Sequence, residues 1–166
     1  MLDKEETMKT LIIGLGNPIL TDDGVGVKVA YQLQELVDEK KYPEVTITEA
    51  SAGGIRLMEA MLGYDRVILI DAFLLDEEKT QPGRIHRLTL DQLGSLSPTQ
   101  HSASAHDTTL FTALKAAQEM GYRTPPEVIV FAVEVQNILE FSETPTPQVA
   151  KAIPEVTQMV LEELSS

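Results

Sequence analysis

Residues 10–26 of the chain read TLIIGLGNPILTDDGVG, and this stretch decides the fold. Its first part, residues 10–16, is short, apolar and ends in glycines, which is typical of a buried β-strand because a helix usually needs more length. From Gly24 onward, apolar residues recur at helical spacing with polar residues between them. These apolar residues are Val25, Val29, Leu33, Leu36 and Val37. The stretch therefore predicts a strand, a polar loop and a helix that packs one apolar face on a sheet.

The rest of the chain alternates segments typical of strands with segments typical of helices. Residues 45–50 alternate in polarity, which indicates a half-exposed strand, and Gly53-Gly54 then breaks it. Further predicted strands cover residues 66–72, 84–88 and 127–133, and further predicted helices cover residues 55–61, 107–121 and 149–164. Pro154 is predicted to kink or restart the last helix. The alternation predicts an α/β fold with helices on both faces of one sheet.

One connection is too short to join two parallel strands. Only residues 73–82 separate the third predicted strand from the fourth, residues 84–88. A parallel crossover usually takes a dozen or more residues and a helix. We therefore predict that the fourth strand runs antiparallel, and its alternating charges predict an edge position.

Composition limits the kind of protein that the chain can be. The 166 residues, 43% of them hydrophobic, predict a single domain over residues 1–166, with residues 1–7 as a disordered N-terminal extension. A formal net charge of -13 argues against a nucleic-acid partner, because such a surface repels phosphates. The apolar runs are strand-sized and the N-terminus is charged, so we predict no membrane insertion and a cytoplasmic location. Without cysteine, only Asp, Glu and the three histidines could hold a metal.

Three chemistry-bearing groups are predicted to meet at one edge of the sheet. Ligands of an open α/β sheet bind beyond the carboxyl ends of its parallel strands. Asp22 and Asp23 follow the first strand, and Asp71 closes the third. His106 precedes a helix that feeds a parallel fifth strand, so that end of the helix lies at the same edge. Two carboxylates and one imidazole suit a borderline divalent metal such as nickel or zinc.

Each of these residues also has a purely structural interpretation. Asp22 and Asp23 precede a helix, where acidic residues commonly cap free amides, and one could cap while the other binds a ligand. Asp71 could simply accept amide hydrogen bonds, and His106 could be a cap or a surface residue. Gly53-Gly54 could be only a turn. The residues alone therefore predict a ligand site at this edge and leave its reaction open.

Residues 13–26, IGLGNPILTDDGVG, closely resemble the opening motif of the nickel-iron hydrogenase maturation endopeptidases. Gly53-Gly54, Asp71 within Leu-Ile-Asp-Ala, and His106 within Ser-Ala-His-Asp follow in the order of that family. The resemblance covers nearly the whole chain. It implies a three-layer α/β/α sandwich with a five-stranded mixed sheet, which agrees with the antiparallel fourth strand predicted above.

The resemblance also implies an activity and a partner. Members of this family remove a C-terminal extension from the hydrogenase large-subunit precursor after nickel has been inserted, and the nickel carried by that substrate serves as the recognition element. We accordingly expect the hydrogenase large-subunit precursor as partner, nickel as part of the substrate, and a monomeric enzyme. Two carboxylates and one imidazole would hold nickel only loosely, so no tightly bound cofactor is expected in the free enzyme.

By the same resemblance, Asp23, Asp71 and His106 contact the metal and carry the catalysis. A water assisted by one of the carboxylates or by His106 would attack the peptide carbonyl, and the residues leave the identity of the base open. The residues expected to bind the substrate are Asn17, Asp22, Gly53 and Gly54.

Two other functions compete with this interpretation. Gly-Leu-Gly-Asn-Pro also opens the bacterial peptidyl-tRNA hydrolases, which have a related α/β architecture. That family supplies a histidine in the following segment, where this chain has Thr21-Asp22-Asp23, and a net charge of -13 suits tRNA poorly. The third candidate is a nickel-binding maturation chaperone that uses the same three residues without cleavage.

Overall fold

Strands and helices alternate along the chain, as the apolar pattern predicts. The computed structural model describes residues 7–51, 53–75, 78–92 and 105–166, and of residues 105–109 it describes the backbone alone. The strands are β1 (Thr10–Leu15), β2 (Val45–Ala50), β3 (Arg66–Phe73), β4 (Ile85–Thr89) and β5 (Glu127–Glu134). The helices are a 3-10 helix (Thr21–Gly24), α1 (Val25–Leu36), α2 (Gly54–Met61), α3 (Ala105–Glu119) and α4 (Pro147–Ser165).

The described strands form one five-stranded mixed sheet in the order β2-β1-β3-β5-β4. The pairs β1 with β2, β1 with β3 and β3 with β5 are parallel, and β4 pairs antiparallel with β5 at the edge. The antiparallel direction and the edge position of the fourth strand are therefore confirmed. β1 and β3 are buried along their whole length, and β2 is half-exposed, as its alternating polarity predicts.

Buried apolar side chains form one cluster on each face of the sheet. Successive residues of a strand point to opposite faces, so Ile68 and Ile70 join one cluster while Val67 and Leu69 join the other. The first cluster packs α1 and α4 against the sheet, and the second packs α2 and α3. This arrangement is the expected three-layer α/β/α sandwich.

Helix α1 begins in direct contact with the backbone of the sheet, because two glycines leave room for it. A Cβ atom on Gly26 would lie 2.2 Å from the carbonyl oxygen of Ile70 and 2.6 Å from that of Leu15. A Cβ atom on Gly14 would lie 2.2 Å from the carbonyl oxygen of Gly26. The first turn of α1 therefore sits over the carboxyl ends of β1 and β3.

Helix α3 begins at the same edge of the sheet. Its other end is held at the amino edge, where the amide of Gly63 donates to the carbonyl oxygen of Arg123 at 3.3 Å. The Arg123 guanidinium also pairs with the carboxylate of Asp65, next to the first residue of β3. Since α3 feeds the parallel strand β5, its first turn lies at the carboxyl edge.

The last helix, α4, contains a proline in its interior. Helix α4 continues through Pro154, so a restart of the helix at this residue is wrong. One stripe of α4 is buried and contains Val149, Ile153, Val156 and Val160. The packing of these residues offsets the roughly 3 kcal/mol that an internal proline costs a helix.

The predicted N-terminal extension, residues 1–7, falls almost wholly outside the described residues. Over the described part of the chain, no helix has the length and apolar character needed to cross a membrane.

The contact beneath Gly26 predicts a large effect of one methyl group. Gly26→Ala is expected to lower the free energy of unfolding by about 3 kcal/mol, because the methyl group meets two backbone oxygens of central strands. Urea denaturation measures this change. In the control variant Gly63→Ala nothing lies within 4 Å of the added Cβ, and only the positive φ of 86° opposes it, so a loss of about 1 kcal/mol is expected. Equal losses in the two variants would contradict the close packing.

Candidate active site

The candidate site lies at the carboxyl edge, between β1 and β3. The chain leaves β1 for β2 on one side and returns to β3 on the other, so these two strands flank the point where the strand order reverses. Gly14 of β1 pairs with Ile70 of β3. Asp71 is therefore level with the last residue of β1. This brings Asp71 to the edge where the loop that carries Asn17 and Asp23 begins.

The loop after β1 folds back on itself and holds Asp23 in place. The Asn17 amide donates to Oδ2 of Asp23 at 2.8 Å, and Oδ1 of Asn17 accepts from the Ile19 amide at 3.2 Å. Gly16 allows this return, because its φ is +129° and a Cβ atom there would lie 1.9 Å from the carbonyl oxygen of Asp23. Asp23 is half-buried, so its carboxylate is both oriented and within reach of solvent.

Asp71 is a buried carboxylate on β3, the central strand of the sheet. It is 4% exposed, and its Oδ1 accepts a hydrogen bond from the amide of Ala72 at 2.8 Å. The amide-accepting role that the sequence allowed for Asp71 is thus confirmed for one carboxylate oxygen. A carboxylate held so far from water at the ligand edge also has the surroundings in which catalytic acids and metal ligands are found.

The third predicted ligand, His106, is the second residue of α3, whose first turn lies at the carboxyl edge. Its side chain, and the preceding Ser104, fall outside what the structure describes. The gathering of all three side chains therefore stays a prediction. Among the side chains that the structure describes, no group of three or more His, Asp or Glu residues is placed to hold a metal.

Gly53 and Gly54 lie next to the same edge, at the end of β2. The amide of Gly16 donates to the carbonyl oxygen of Ala50 at 3.0 Å, which joins the ends of β1 and β2. Gly53 is the N-cap residue of α2 and Gly54, with φ of +65°, is its first residue. The pair thus forms the start of α2 rather than a separate turn, and its proposed contact with a substrate stays a prediction.

Asp22 is fully buried and holds a distant loop, residues 136–146, against the site. Its Oδ2 accepts from the amides of Gln136 and Asn137 at 3.2 and 3.1 Å. Its Oδ1 accepts from the amide of Thr146 at 2.7 Å, and the Thr146 hydroxyl lies 2.9 Å from both carboxylate oxygens. The carboxylate is therefore saturated by this loop.

The helix-capping interpretation of Asp22 and Asp23 is wrong. The N-cap residues are Leu20 for the 3-10 helix and Gly24 for α1, and neither start has a side-chain cap bond. Asp22 instead binds the loop at residues 136–146, and Asp23 binds the amide of Asn17. The two carboxylates thus stabilise the loops around the site and do not cap the start of a helix.

Sequence reasoning missed a third buried carboxylate among the described residues of this edge, Glu134 at the end of β5. It is fully buried, and its Oε2 lies 2.9 Å from Nε2 of His86, while Oε1 accepts from the amide of Gln81 at 3.3 Å. Arg84 adds an ion pair at 3.8 Å. An acidic residue that ends an apolar strand was the available signal, the same signal that singled out Asp71. In the structure Glu134 anchors the connection between β3 and β4.

A concavity of about 760 Å³ lies at the opposite end of the sheet, beside α3 and the start of β5. Its lining includes Thr89, Phe111 and Val128. The sheet topology and the buried acids argue for the carboxyl edge, because ligands of open α/β sheets bind there.

Comparison with known proteins identifies the family. The sequence profile of the hydrogenase maturation proteases matches residues 27–163. The chain belongs to the hydrogenase maturation protease family. Asp71 and His106 lie inside the matched range, and the loop with Asn17 and Asp23 directly precedes it.

Individual relatives agree with this family assignment. The hydrogenase 2 maturation protease of Escherichia coli is 28% identical over 114 residues, covering 69% of this chain and 66% of the relative. The solved structure of the hydrogenase maturating endopeptidase HybD from E. coli is 26% identical, with a TM-score of 0.78 over 95% of this chain and 93% of that one. A nickel-iron hydrogenase maturation protease from Thermococcus kodakarensis, 23% identical, shares the fold with a TM-score of 0.69 over 96% of this chain and 100% of that one.

Membership in this family makes the protein a peptide hydrolase that acts in hydrogenase maturation. The resemblance drawn from residues 13–26 is thereby confirmed. The peptidyl-tRNA hydrolase alternative loses its support, because the similarity to maturation proteases extends over nearly the whole chain and not just over the first loop.

The saturated carboxylate of Asp22 predicts a stability defect. Asp22→Asn is expected to lower the free energy of unfolding by about 3 kcal/mol, because an amide nitrogen replaces an acceptor among N–H donors in a buried site. Denaturation with urea measures the loss, and hydrogen exchange should quicken at the amides of Gln136, Asn137 and Thr146. The control Asp38→Asn changes an exposed turn with one bond to the Lys40 amide, and it should stay within about 0.5 kcal/mol of wild type. A loss no larger than that of the control would overturn the structural role of Asp22.

Proposed function

We propose that this protein is an endopeptidase that removes the C-terminal extension of the nickel-iron hydrogenase large-subunit precursor after nickel insertion. The nickel that the substrate carries is the recognition element. One observation supports this proposal above the others: the oriented carboxylate of Asp23 and the buried carboxylate of Asp71 lie at the same carboxyl edge, in a chain of the hydrogenase maturation protease family.

The donor set fits a metal that another protein delivers. Asp23, Asp71 and His106 offer oxygen and nitrogen ligands, which suit nickel but hold it weakly without thiolates. This chain has no cysteine, so the thiolates must come from the substrate. In this proposal the three residues complete the coordination of the substrate's nickel, and the free enzyme keeps no tightly bound metal.

Recognition of the metal would also position the bond to be cut. Anchoring a substrate group next to the scissile peptide turns the hydrolysis into a reaction between fixed partners. Asn17 and the amides at Gly53 and Gly54 flank the site from the ends of β1 and β2, and we assign them to the extended peptide. Asp22 contributes to substrate binding through the loop that its carboxylate holds.

The chemical step is the addition of water to the peptide carbonyl. The base is one of Asp23, Asp71 and His106; it takes a proton from the water whose oxygen attacks the carbonyl carbon. The carbon–nitrogen bond then breaks, and the leaving amine receives a proton from the same site. Because Asp71 is buried, little water competes with a substrate or a metal for its carboxylate.

The proposed enzyme acts alone, in the cytoplasm, on a protein substrate. A net charge of -13 opposes contact with nucleic acid, with anionic lipid and between copies of this chain. These properties are consistent with a monomeric processing enzyme whose partner is the precursor itself.

Substitution of the three proposed ligands tests the site. Asp23→Asn, Asp71→Asn and His106→Ala are each expected to slow trimming of the nickel-loaded precursor by roughly 100-fold or more, because each change removes a ligand or the base. Mass spectrometry of the precursor follows the loss of its tail. Asp38→Asn, which replaces an exposed aspartate just beyond the C-terminal end of α1, serves as the matched control and should trim at the wild-type rate. Wild-type rates in all four variants would refute the site.

Nickel loading of the substrate tests the recognition step. The wild-type enzyme is expected to shorten nickel-loaded precursor and to leave nickel-free precursor intact, since the metal supplies the contact with the three residues. Adding nickel to the nickel-free sample before the enzyme should restore trimming. A nickel-binding chaperone would bind the loaded precursor without changing its mass, and equal trimming of both forms would remove nickel from the mechanism.

A further inference from the structure

Three exposed apolar side chains surround the loop that leads to the candidate site. Ile19 is 45% exposed, Leu139 is 84% exposed and Phe141 is 83% exposed. The neighbouring Ile138 packs inward against the main apolar cluster. The loop therefore packs one apolar residue against the core and turns two others toward solvent, which indicates that they serve something other than the core.

Backbone pairing brings these side chains together. Leu20 and Ser142 form a parallel bridge: the Ser142 amide donates to the carbonyl oxygen of Ile19 at 2.9 Å, and the Thr21 amide donates to that of Ser142 at 3.0 Å. Residues before paired positions in a parallel bridge run alongside each other, so Ile19 and Phe141 are neighbours. We call Ile19, Leu139 and Phe141 the apolar rim. It adjoins Asp23, which follows two residues after Thr21.

Hydrogen bonds hold the loop that carries Leu139 and Phe141 of the apolar rim. The buried carboxylate of Asp22 holds both ends of the loop, at Asn137 and at Thr146. Inside the loop, Oδ1 of Asn137 accepts from the amides of Leu139 and Glu140, both at 3.2 Å. A preformed loop loses little conformational entropy on binding, which is a property of effective docking surfaces.

The charge around the apolar rim selects its partner. Glu140 and Glu143 are exposed beside Leu139 and Phe141, and residues 136–146 contain no Lys or Arg. A second copy of this chain brings its own net charge of -13 and is repelled, as is an anionic lipid surface. The complementary surface is apolar at its centre and bordered by Lys or Arg side chains.

We propose that the apolar rim is the docking surface for the folded body of the substrate protein, outside the segment that is cut. This inference rests on the proposed function, because it assigns the partner to the same site. The substrate presents an apolar patch bordered by basic residues, which meets Leu139 and Phe141 while its processing segment reaches Asp23. Docking on a rigid surface beside the site adds affinity for the whole precursor without entering the chemical step.

The test compares two double variants in which exposed apolar residues become serine. Leu139→Ser/Phe141→Ser changes the apolar rim, and Met120→Ser/Tyr122→Ser changes residues that are 72% and 56% exposed beyond the end of α3 at the opposite edge. Each is combined with Asp71→Asn to block cleavage, and calorimetry measures the Kd for nickel-loaded precursor. The same double variants with Asp71 intact give KM and kcat for trimming. The unfolding midpoint of every variant is checked against wild type.

Loss of the apolar rim should raise Kd and KM by roughly tenfold or more while kcat stays near wild type. The control at the opposite edge should stay within about twofold of its reference, which is Asp71→Asn alone for Kd and wild type for KM and kcat. Glu140→Gln/Glu143→Gln should slow association and weaken its dependence on salt. The docking surface is overturned if the apolar-rim variant binds and trims like wild type, or if the control is equally impaired. In either case, trimming of the precursor by the wild-type enzyme still supports the proposed function. Wild-type enzyme that binds precursor through the apolar rim without trimming it overturns the proposed function and supports the docking surface.

Discussion

The close contact between the start of α1 and the central strands is the constraint on which the rest of the structure depends. Gly26 rests on the carbonyl oxygens of Ile70 and Leu15 with no room for a side chain, and Gly14 makes the contact possible from the other side. Because Ile70 directly precedes Asp71, this contact fixes the helix start next to that carboxylate. The short loop between β1 and α1 must then close over the same edge, which carries Asp23 to it.

A second constraint, the buried carboxylate of Asp22, extends the site beyond the first loop. A buried charge is tolerated only when it is paired or fully hydrogen-bonded. Asp22 meets this requirement with amide and hydroxyl donors from residues 136–146. One edge of the sheet therefore presents a rigid surface from two distant parts of the chain. The adjacent aspartates therefore have different roles: Asp22 holds the loop, and Asp23 remains half-buried at the site.

Local pattern was sufficient for most of the fold and for part of the site. The strand and helix of residues 10–36 follow from apolar spacing, and the antiparallel β4 follows from a connection too short for a crossover. Asp71 could be placed at the ligand edge because it follows an apolar run, although β3 does not close at Asp71 as predicted and continues two residues further to Phe73. Glu134 also follows an apolar run, but its carboxylate anchors the connection between β3 and β4. An acidic residue after an apolar run therefore indicates a position at the edge of the sheet, without showing whether that residue binds a ligand or stabilises the fold.

The sequence by itself determined the α/β class, the family and the edge at which Asp23 and Asp71 lie, because these depend on short-range periodicity and on one compact motif. Only the tertiary structure decided what Asp22 does. Its partners lie 114 to 124 residues further along the chain, and no local rule describes so distant a contact. The same holds for the apolar rim: Ile19 and Phe141 are neighbours because backbone groups pair across the fold, and their separation in sequence hides this.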